Sequence, residues 1–214
     1  MKIRMLIATI IFLAFVYNCK PGNKGETDST ADSAVMEEKS DSAEMDEITG
    51  GFVGIKHHSM MQKDTVKLHG DPDYDFAVVM KIHHRHGIAM ANEEVKYGSD
   101  TAMRSFARKI KENQENELKD LEEFINKNSP TNNDANFLKE MKSNMQKAKD
   151  EMSQNTPMSG NFDRDFSSLM ALHHKHGLDL AKTEVKFGKK PEMKKLAQQM
   201  IKQRNQEIKQ LAGN

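Results

Sequence analysis

One segment of this 214-residue chain occurs twice, and this internal repeat constrains the fold more than any other feature of the sequence. Residues 75–118 align with residues 165–208 without gaps at a constant offset of 90, and 15 of the 44 aligned positions are identical. The cores of the two copies are Met80-Lys-Ile-His-His-Arg-His-Gly87 and Met170-Ala-Leu-His-His-Lys-His-Gly177. A gapless match of this length predicts a duplicated supersecondary unit.

Each copy has the pattern of a helical hairpin. Apolar or small residues and one histidine recur every three or four positions in its first half, which indicates one buried helix face: Phe76, Met80, His84, Gly87, Ala91 and Val95. Asp71 and Pro72 are typical N-cap and N1 residues. We expect Gly98 to end the first helix in a left-handed conformation and Ser99 to cap the second. In the second copy, Gly188 and Pro191 mark the same boundary.

Two antiparallel hairpins with short connections predict an all-α four-helix bundle. The folded region is expected over residues 51–214, with the first repeat at about 71–127 and the second at about 162–212. A linking helix is predicted at about 133–154, where Phe137, Met141, Met145, Ala148 and Met152 share one face.

The histidines are the candidate chemical groups. The chain holds 9 His and 16 Met, and six of the histidines form two matched triplets with a methionine three residues before each. Imidazoles three residues apart on a helix can bind one metal ion. A buried structural histidine is the ordinary alternative for one such residue, but two matched triplets favour metal binding at Met80, His83, His84, His86, Met170, His173, His174 and His176.

Other side chains could complete this site. In an antiparallel hairpin, Glu117 lies level with the first triplet and Glu207 with the second, so each carboxylate could ligate a metal or orient an imidazole. Met90 lies one turn beyond the first triplet, and a separate cluster before the repeat contains His58, Met60 and Met61. Thioether and imidazole donors together suit copper, above all Cu(I). Zinc or iron remains an alternative, although zinc seldom takes methionine and neither repeat has the Glu-x-x-His pair of di-iron bundles.

These motifs resemble those of the bacterial ferritin-like "domain of unknown function 305" family. The similarity covers about residues 52–212 and includes both Met-x-x-His-His segments. It implies an exported, ferritin-like helical bundle, and some members are periplasmic copper-binding proteins. It also implies the ligand candidates Met80, His83, His84, Met170, His173 and His174. Two features depart from the family pattern: His86 and His176 replace small residues, and Arg204 stands where the first copy has Gln114.

The first 50 residues predict export and a tether. Residues 1–19 have a basic start, a short apolar run and then Cys19, the only cysteine, as in a lipoprotein signal whose cysteine becomes lipidated. An ordinary cleaved signal or an uncleaved anchor is the alternative. Residues 20–50 hold nine acidic residues against three lysines, which indicates a disordered acidic spacer. We therefore expect a cell-envelope protein, periplasmic or on the outer surface, that meets the membrane through its N-terminal lipid.

The charge balance argues against nucleic-acid binding, because 32 basic residues are matched by 32 acidic ones. The sequence favours an exported protein that sequesters or hands over copper, with the metal ion, a transfer partner or a second copy as partners. Catalysis is less favoured, and no catalytic residue is assigned. A metal-dependent redox enzyme of ferritin-like type and a structural or partner-binding bundle without metal are the two alternatives.

Overall fold

The structure, a computed structural model, describes residues 66–154 and 159–213, and every regular element in these two ranges is an α-helix. Five helices follow one another along the chain: α1 Pro72–Tyr97, α2 Thr101–Lys127, α3 Ala135–Gln154, α4 Phe162–Phe187 and α5 Pro191–Ala212. None of these helices is long and apolar enough to cross a membrane.

The starts of the helices follow from local side-chain chemistry. Asp71 caps α1 by accepting a hydrogen bond from the backbone N–H of Tyr74, and Pro72 occupies the first turn. α2 is capped by Asp100, whose carboxylate accepts from the N–H groups of Ala102 and Met103. The expectation that Ser99 caps this helix was therefore wrong by one residue, because the ionised carboxylate of Asp100 is the side chain that reaches the free N–H groups.

The helix-ending glycines act differently from the sequence expectation. Gly98 has φ −60° and Gly188 has φ −56°, so neither is left-handed, although that conformation was predicted for Gly98. Each glycine instead makes room for a buried glutamate. A Cβ atom on Gly98 would lie 2.2 Å from Oε1 of Glu94, and one on Gly188 would lie 2.1 Å from Oε1 of Glu184.

The two hairpins pack through their first helices. α1 packs along α2, α4 packs along α5, and α1 and α4 cross in the middle of the bundle, whereas α3 lies against α4. This arrangement confirms the predicted all-helical bundle of two repeated hairpins with an extra linking helix.

The apolar core forms two clusters, one at each end of the bundle. One cluster combines residues such as Phe76, Phe137 and Met200 with Met80. The other combines Ile110, Phe166 and Leu211 with Met170. A layer of buried polar side chains lies between them at the middle of the helices, comprising His84, Gln114, Glu117, His174, Arg204 and Glu207. The fold therefore encloses polar groups at its centre, where burial is costly unless they are paired.

Candidate metal centre

The two repeats meet at a pair of stacked imidazoles. The rings of His83 on α1 and His173 on α4 are nearly parallel, with centroids 3.7 Å apart and an interplanar angle of 13°. The Nε2 atom of His83 lies 3.0 Å from the backbone carbonyl oxygen of His173, so this nitrogen carries the proton and donates it. Equivalent residues of the two repeats therefore face each other across the α1–α4 crossing.

Two glycines permit this close approach. A Cβ atom on Gly177 would lie 2.9 Å from Cε1 of His83. A Cβ atom on Gly87 would lie 2.7 Å from Nε2 of His173 and 2.2 Å from Oε1 of Gln114. The glycine that follows each histidine triplet is thus required for space, because any side chain there would displace the opposite imidazole or amide.

Each hairpin also pairs an inner histidine with a carboxylate of its second helix. The Nε2 atom of His84 lies 2.7 Å from Oε2 of Glu117. The Nε2 atom of His174 lies 2.9 Å from Oε2 of Glu207. These are the pairs that the antiparallel register places level with each other. All four side chains are at most 8% exposed, so the contacts form away from water.

One arginine joins the two pairs. Arg204 on α5 is 2% exposed, and its Nη1 atom lies 2.8 Å from Oε2 of Glu207. Its Nη2 atom contacts Oε2 of Glu117, on the other hairpin. Asn113 donates to Oε1 of Glu207 at 3.1 Å, which adds a second link between the hairpins. His84 and His174 are therefore connected through Glu117, Arg204 and Glu207.

Burial sets the protonation of these groups. Burial lowers the pKa of His84 and His174 below 6.5, although the neighbouring carboxylates of Glu117 and Glu207 oppose the shift. Burial and the neighbouring His84 hold the pKa of His83 well below 6.5. Burial alone would raise the pKa of Glu207, but the contacts with His174 and Arg204 outweigh it and hold this pKa at about 2. At neutral pH the centre contains neutral imidazoles and ionised carboxylates.

The neutral imidazoles present unused nitrogen lone pairs. The buried Nδ1 atoms of His83, His84 and His174 have no hydrogen-bond partner. In His83 and His84 the Nε2 atom carries the donated proton, so Nδ1 holds the lone pair that a metal ion needs. The residues present therefore suit a cation that prefers nitrogen donors. Within residues 66–154 and 159–213, however, no three His, Cys, Asp or Glu side chains converge as they would in a preformed polydentate centre.

Sequence comparison assigns the family. The sequence profile described as "Domain of unknown function (DUF305)" matches residues 19–125 and again residues 73–213.

The chain belongs to the DUF305 family.

Solved structures with the same fold include two DUF305-like bundles. A DUF305 protein from Streptomyces coelicolor is 20% identical, with a TM-score of 0.52, and the match covers 68% of this chain and 93% of the other. A structure of CopM in a silver-bound form obtained by soaking is 26% identical, with a TM-score of 0.50, covering 66% of this chain and 92% of the other. Among curated proteins, none matches this chain significantly.

In this DUF305 protein the predicted methionine donors lie in apolar surroundings. Met80 and Met170, one helical turn before the inner histidines, are 1% and 0% exposed and belong to the two separate apolar clusters. Met90 packs in the second cluster with residues such as Met103, away from the polar layer. The thioethers of Met80 and Met170 thus border the polar layer from its two sides.

The last histidine of each triplet faces elsewhere. His86 and His176 line a cleft of about 670 Å³ between α1, α3 and α4, together with His83, Met145 and Leu180. The Nε2 atom of His176 lies 2.9 Å from Oε2 of Glu151 on α3. His84 and His174 thus form an inner pair and His86 and His176 an outer pair, while His83 both stacks on His173 and lines the cleft. Arg85 and Lys175, each one residue before the last histidine of its triplet, are exposed.

Several predicted residues lie outside the described ranges. These are the lipidation candidate and the cluster before the repeat, namely Cys19, His58, Met60 and Met61.

Sequence reasoning missed the roles of Arg204 and of Gln114. The two residues are equivalent in the repeats, and the substitution was visible as a departure from the family pattern. What the alignment could not reveal is that the arginine reaches the carboxylate of the other hairpin. Both amide atoms of Gln114 are buried without a hydrogen-bond partner, so the first hairpin has no equivalent link.

Proposed function

We propose that this protein binds a soft transition-metal ion, copper as Cu(I), at the inner histidines where its two repeats meet. The observation that carries the proposal is the set of buried Nδ1 lone pairs on His83, His84 and His174. Buried lone pairs without a hydrogen-bond partner are unfavourable unless they receive a proton or a cation, and the lowered pKa values disfavour the proton.

The chemistry of the donors supports a soft ion over a hard one. Imidazole nitrogen and thioether sulfur favour Cu(I), whereas hard cations such as Mg²⁺ and Ca²⁺ prefer oxygen donors. The residues that would hold the ion are His83, His84, His173 and His174, with Met80 and Met170 from the two sides. Silver, which is bound in the related CopM structure, is a monovalent soft ion of the same group.

The arrangement suits storage or transfer of the ion. Nε2 of His84 donates to Oε2 of Glu117, and Nε2 of His174 lies 2.9 Å from Oε2 of Glu207, so each inner imidazole is held against a carboxylate. The site lies in the middle of the helices, with an apolar cluster on each side. A protein of this kind would retain the ion by excluding water, and we infer no chemical turnover.

We further propose that the protein works in the cell envelope, attached through a lipid on Cys19. The basic start, the short apolar run and the position of Cys19 support this location. The unchanged protein should incorporate a labelled fatty acid and Cys19→Ser should not, and absence of label in the unchanged protein would refute a lipid anchor.

The metal proposal is tested by comparing two matched double variants of the full chain. His84→Gln with His174→Gln removes two inner imidazoles, whereas His86→Gln with His176→Gln removes two imidazoles on the same helices that face the outer cleft. Titration with Ag(I) and with Cu(I) under anaerobic conditions should show at least about tenfold weaker binding for the inner pair only.

Circular dichroism of both double variants provides the control for folding. If the folded variant with His84→Gln and His174→Gln binds Ag(I) and Cu(I) as tightly as the unchanged protein, the proposal is overturned. Ions that bind the native state raise its melting temperature, so an unchanged melting temperature with saturating Ag(I) would argue for the structural alternative.

A further inference from the structure

The two repeats differ at one buried position that carries charge. Arg204 and Gln114 are equivalent under the offset of 90, and both are at most 2% exposed. Arg204 contacts carboxylates of both hairpins, whereas both amide atoms of Gln114 lack a partner. An arginine retains its charge when buried, so this substitution places a permanent positive charge at only one of two equivalent positions.

The charged groups of the polar layer do not balance. α2 contributes Glu117, and α5 contributes Arg204 and Glu207. The other polar side chains that contact them are uncharged amides and an imidazole: Asn113 and Gln203 donate to Oε1 of Glu207, and Nε2 of His84 donates to Oε2 of Glu117. Two carboxylates against one guanidinium leave one negative charge in the buried layer.

The contacts around the two carboxylates show that a single guanidinium serves both of them. Oε2 of Glu117 contacts both Arg204 and Nε2 of His84, and Oε2 of Glu207 contacts Arg204 and lies near Nε2 of His174. The guanidinium is therefore divided between two carboxylates, each of which also touches an imidazole. Because unbalanced charge is costly in a buried setting, such a layer favours one additional positive charge and resists two.

We propose that Arg204 sets the charge preference of the centre, so that it accepts a monovalent cation in preference to a divalent one. The inference rests on the proposed metal-binding function and specifies the class of ion. With Gln in place of Arg204, as in the first repeat, the layer would carry two unbalanced carboxylates, which a divalent ion neutralises better. The arginine thus replaces one of the two positive charges that the carboxylates would otherwise draw from solution.

Silver nitrate and zinc sulfate test this idea without a change of oxidation state, because neither ion is reduced or oxidised in buffer. The affinity of each ion is measured by calorimetry for the full-length unchanged protein, for Arg204→Gln, and for Arg204→Gln combined with Glu207→Gln. The single variant should lower the ratio of silver to zinc affinity by at least about tenfold. The double variant restores the original charge and should recover most of that ratio.

The outcome of these titrations is decisive in each case. A ratio that stays unchanged in folded Arg204→Gln, or that falls equally in the charge-matched double variant, overturns the inference while the proposed function stands. If the unchanged protein binds neither silver nor Cu(I), both fall.

A second comparison applies if Arg204→Gln does not fold. The double variant is then compared with a triple variant that also has Glu117→Gln and carries no net charge in the layer. Silver affinity should fall at least about tenfold from the double to the triple variant. Equal silver affinities in these two proteins would overturn the inference.

Discussion

At the scale of single residues, this centre shows how one hydrogen bond determines what an imidazole can do. His83 donates Nε2–H to a carbonyl oxygen and His84 donates it to a carboxylate, so their Nδ1 atoms are left as acceptors. Burial disfavours protonation of these nitrogens. The residue that supplies the partner therefore matters as much as the histidine itself.

The tight contact at Gly177 leads to a prediction about stability. Gly177→Ala would place its Cβ atom 2.9 Å from Cε1 of His83, so the stacked pair His83–His173 must shift. We expect a loss of about 1–3 kcal/mol in the free energy of unfolding, as for other overpacked sites. Chemical denaturation followed by circular dichroism measures it.

Gly213→Ala provides the matched control for this substitution. Its Cβ atom would meet only backbone oxygens at 3.6 and 3.8 Å, which is ordinary contact distance. The control should change the stability by less than about 0.5 kcal/mol. If Gly177→Ala were equally harmless, the close approach of the hairpins at this point would be refuted.

At the scale of the elements, each hairpin is braced by the first turn of the other. Asp163 at the start of α4 accepts from Asp100 N at 2.9 Å, in the turn between α1 and α2. Asp73 at the start of α1 accepts from Lys190 N at 2.9 Å, in the turn between α4 and α5. A buried glutamate lies beside each aspartate, Glu94 beside Asp163 and Glu184 beside Asp73.

These carboxyl pairs predict an alkaline loss of stability. Burial, together with the neighbouring aspartate, raises the pKa of Glu94 and of Glu184 to about 9. The folded protein therefore keeps protons that the unfolded chain releases above about pH 4.5, and its stability falls as the pH rises toward 9. Glu94→Gln combined with Glu184→Gln removes this cost, because an amide cannot ionise.

The gain should appear only at higher pH. We expect the double variant to match the unchanged protein near pH 5 and to gain on it up to pH 8, by at most about 1.4 kcal/mol per pH unit for each carboxyl. Urea unfolding at the two pH values measures the difference. A gain of the same size at both pH values would show that Glu94 and Glu184 do not have raised pKa values in the folded protein.

The linking helix α3 carries both fully and partly buried side chains, which predicts a graded effect of truncation along it. Phe137 is 0% exposed and lies in the apolar cluster with Phe76 and Met200. Phe137→Ala should destabilise the protein by about 3–5 kcal/mol. Met145→Ala, on the same helix but at the rim of the cleft, should cost clearly less, because Met145 is only partly buried.

Thermal unfolding of the two α3 variants provides the measurement. Similar melting temperatures for Phe137→Ala and Met145→Ala would mean that the buried Phe137 side chain does not hold α3 against the bundle more firmly than Met145 does.

At the scale of the whole molecule, stability should depend on pH as a dome. The histidines with lowered pKa must take up protons on unfolding below about pH 6.5, so stability falls as the pH decreases. The lowered pKa of Glu117 and the value of about 2 for Glu207 extend this loss below about pH 4.5. The raised pKa values of Glu94 and Glu184 produce the opposite slope toward pH 9.

The maximum is expected between about pH 5.5 and 7 at constant ionic strength. Unfolding midpoints from pH 4 to pH 10 would locate it. The Glu94→Gln and Glu184→Gln variant should lose the alkaline slope and keep the acidic one. A protein whose stability rises steadily from pH 5 to pH 9 would contradict the assigned environments of both sets of groups.

The sequence by itself determined the helices, the two hairpins and which side chains turn inward. Helical periodicity is a local property, and a short turn fixes the register of one hairpin, so the levels of His84 with Glu117 and of His174 with Glu207 could be read from the repeat. The conformation of Gly98 was predicted wrongly, because the sequence does not show that Glu94 lies against it.

Only the tertiary structure decided how the repeats meet. His83 stacks on His173, Arg204 reaches Glu117, and His86 and His176 turn away toward a cleft, although the alignment treats all six histidines alike. These contacts join residues some 90 positions apart and depend on the angle at which α1 crosses α4. That angle follows from the packing of whole helix faces, including the space left by Gly87 and Gly177, and a local repeat pattern does not encode it.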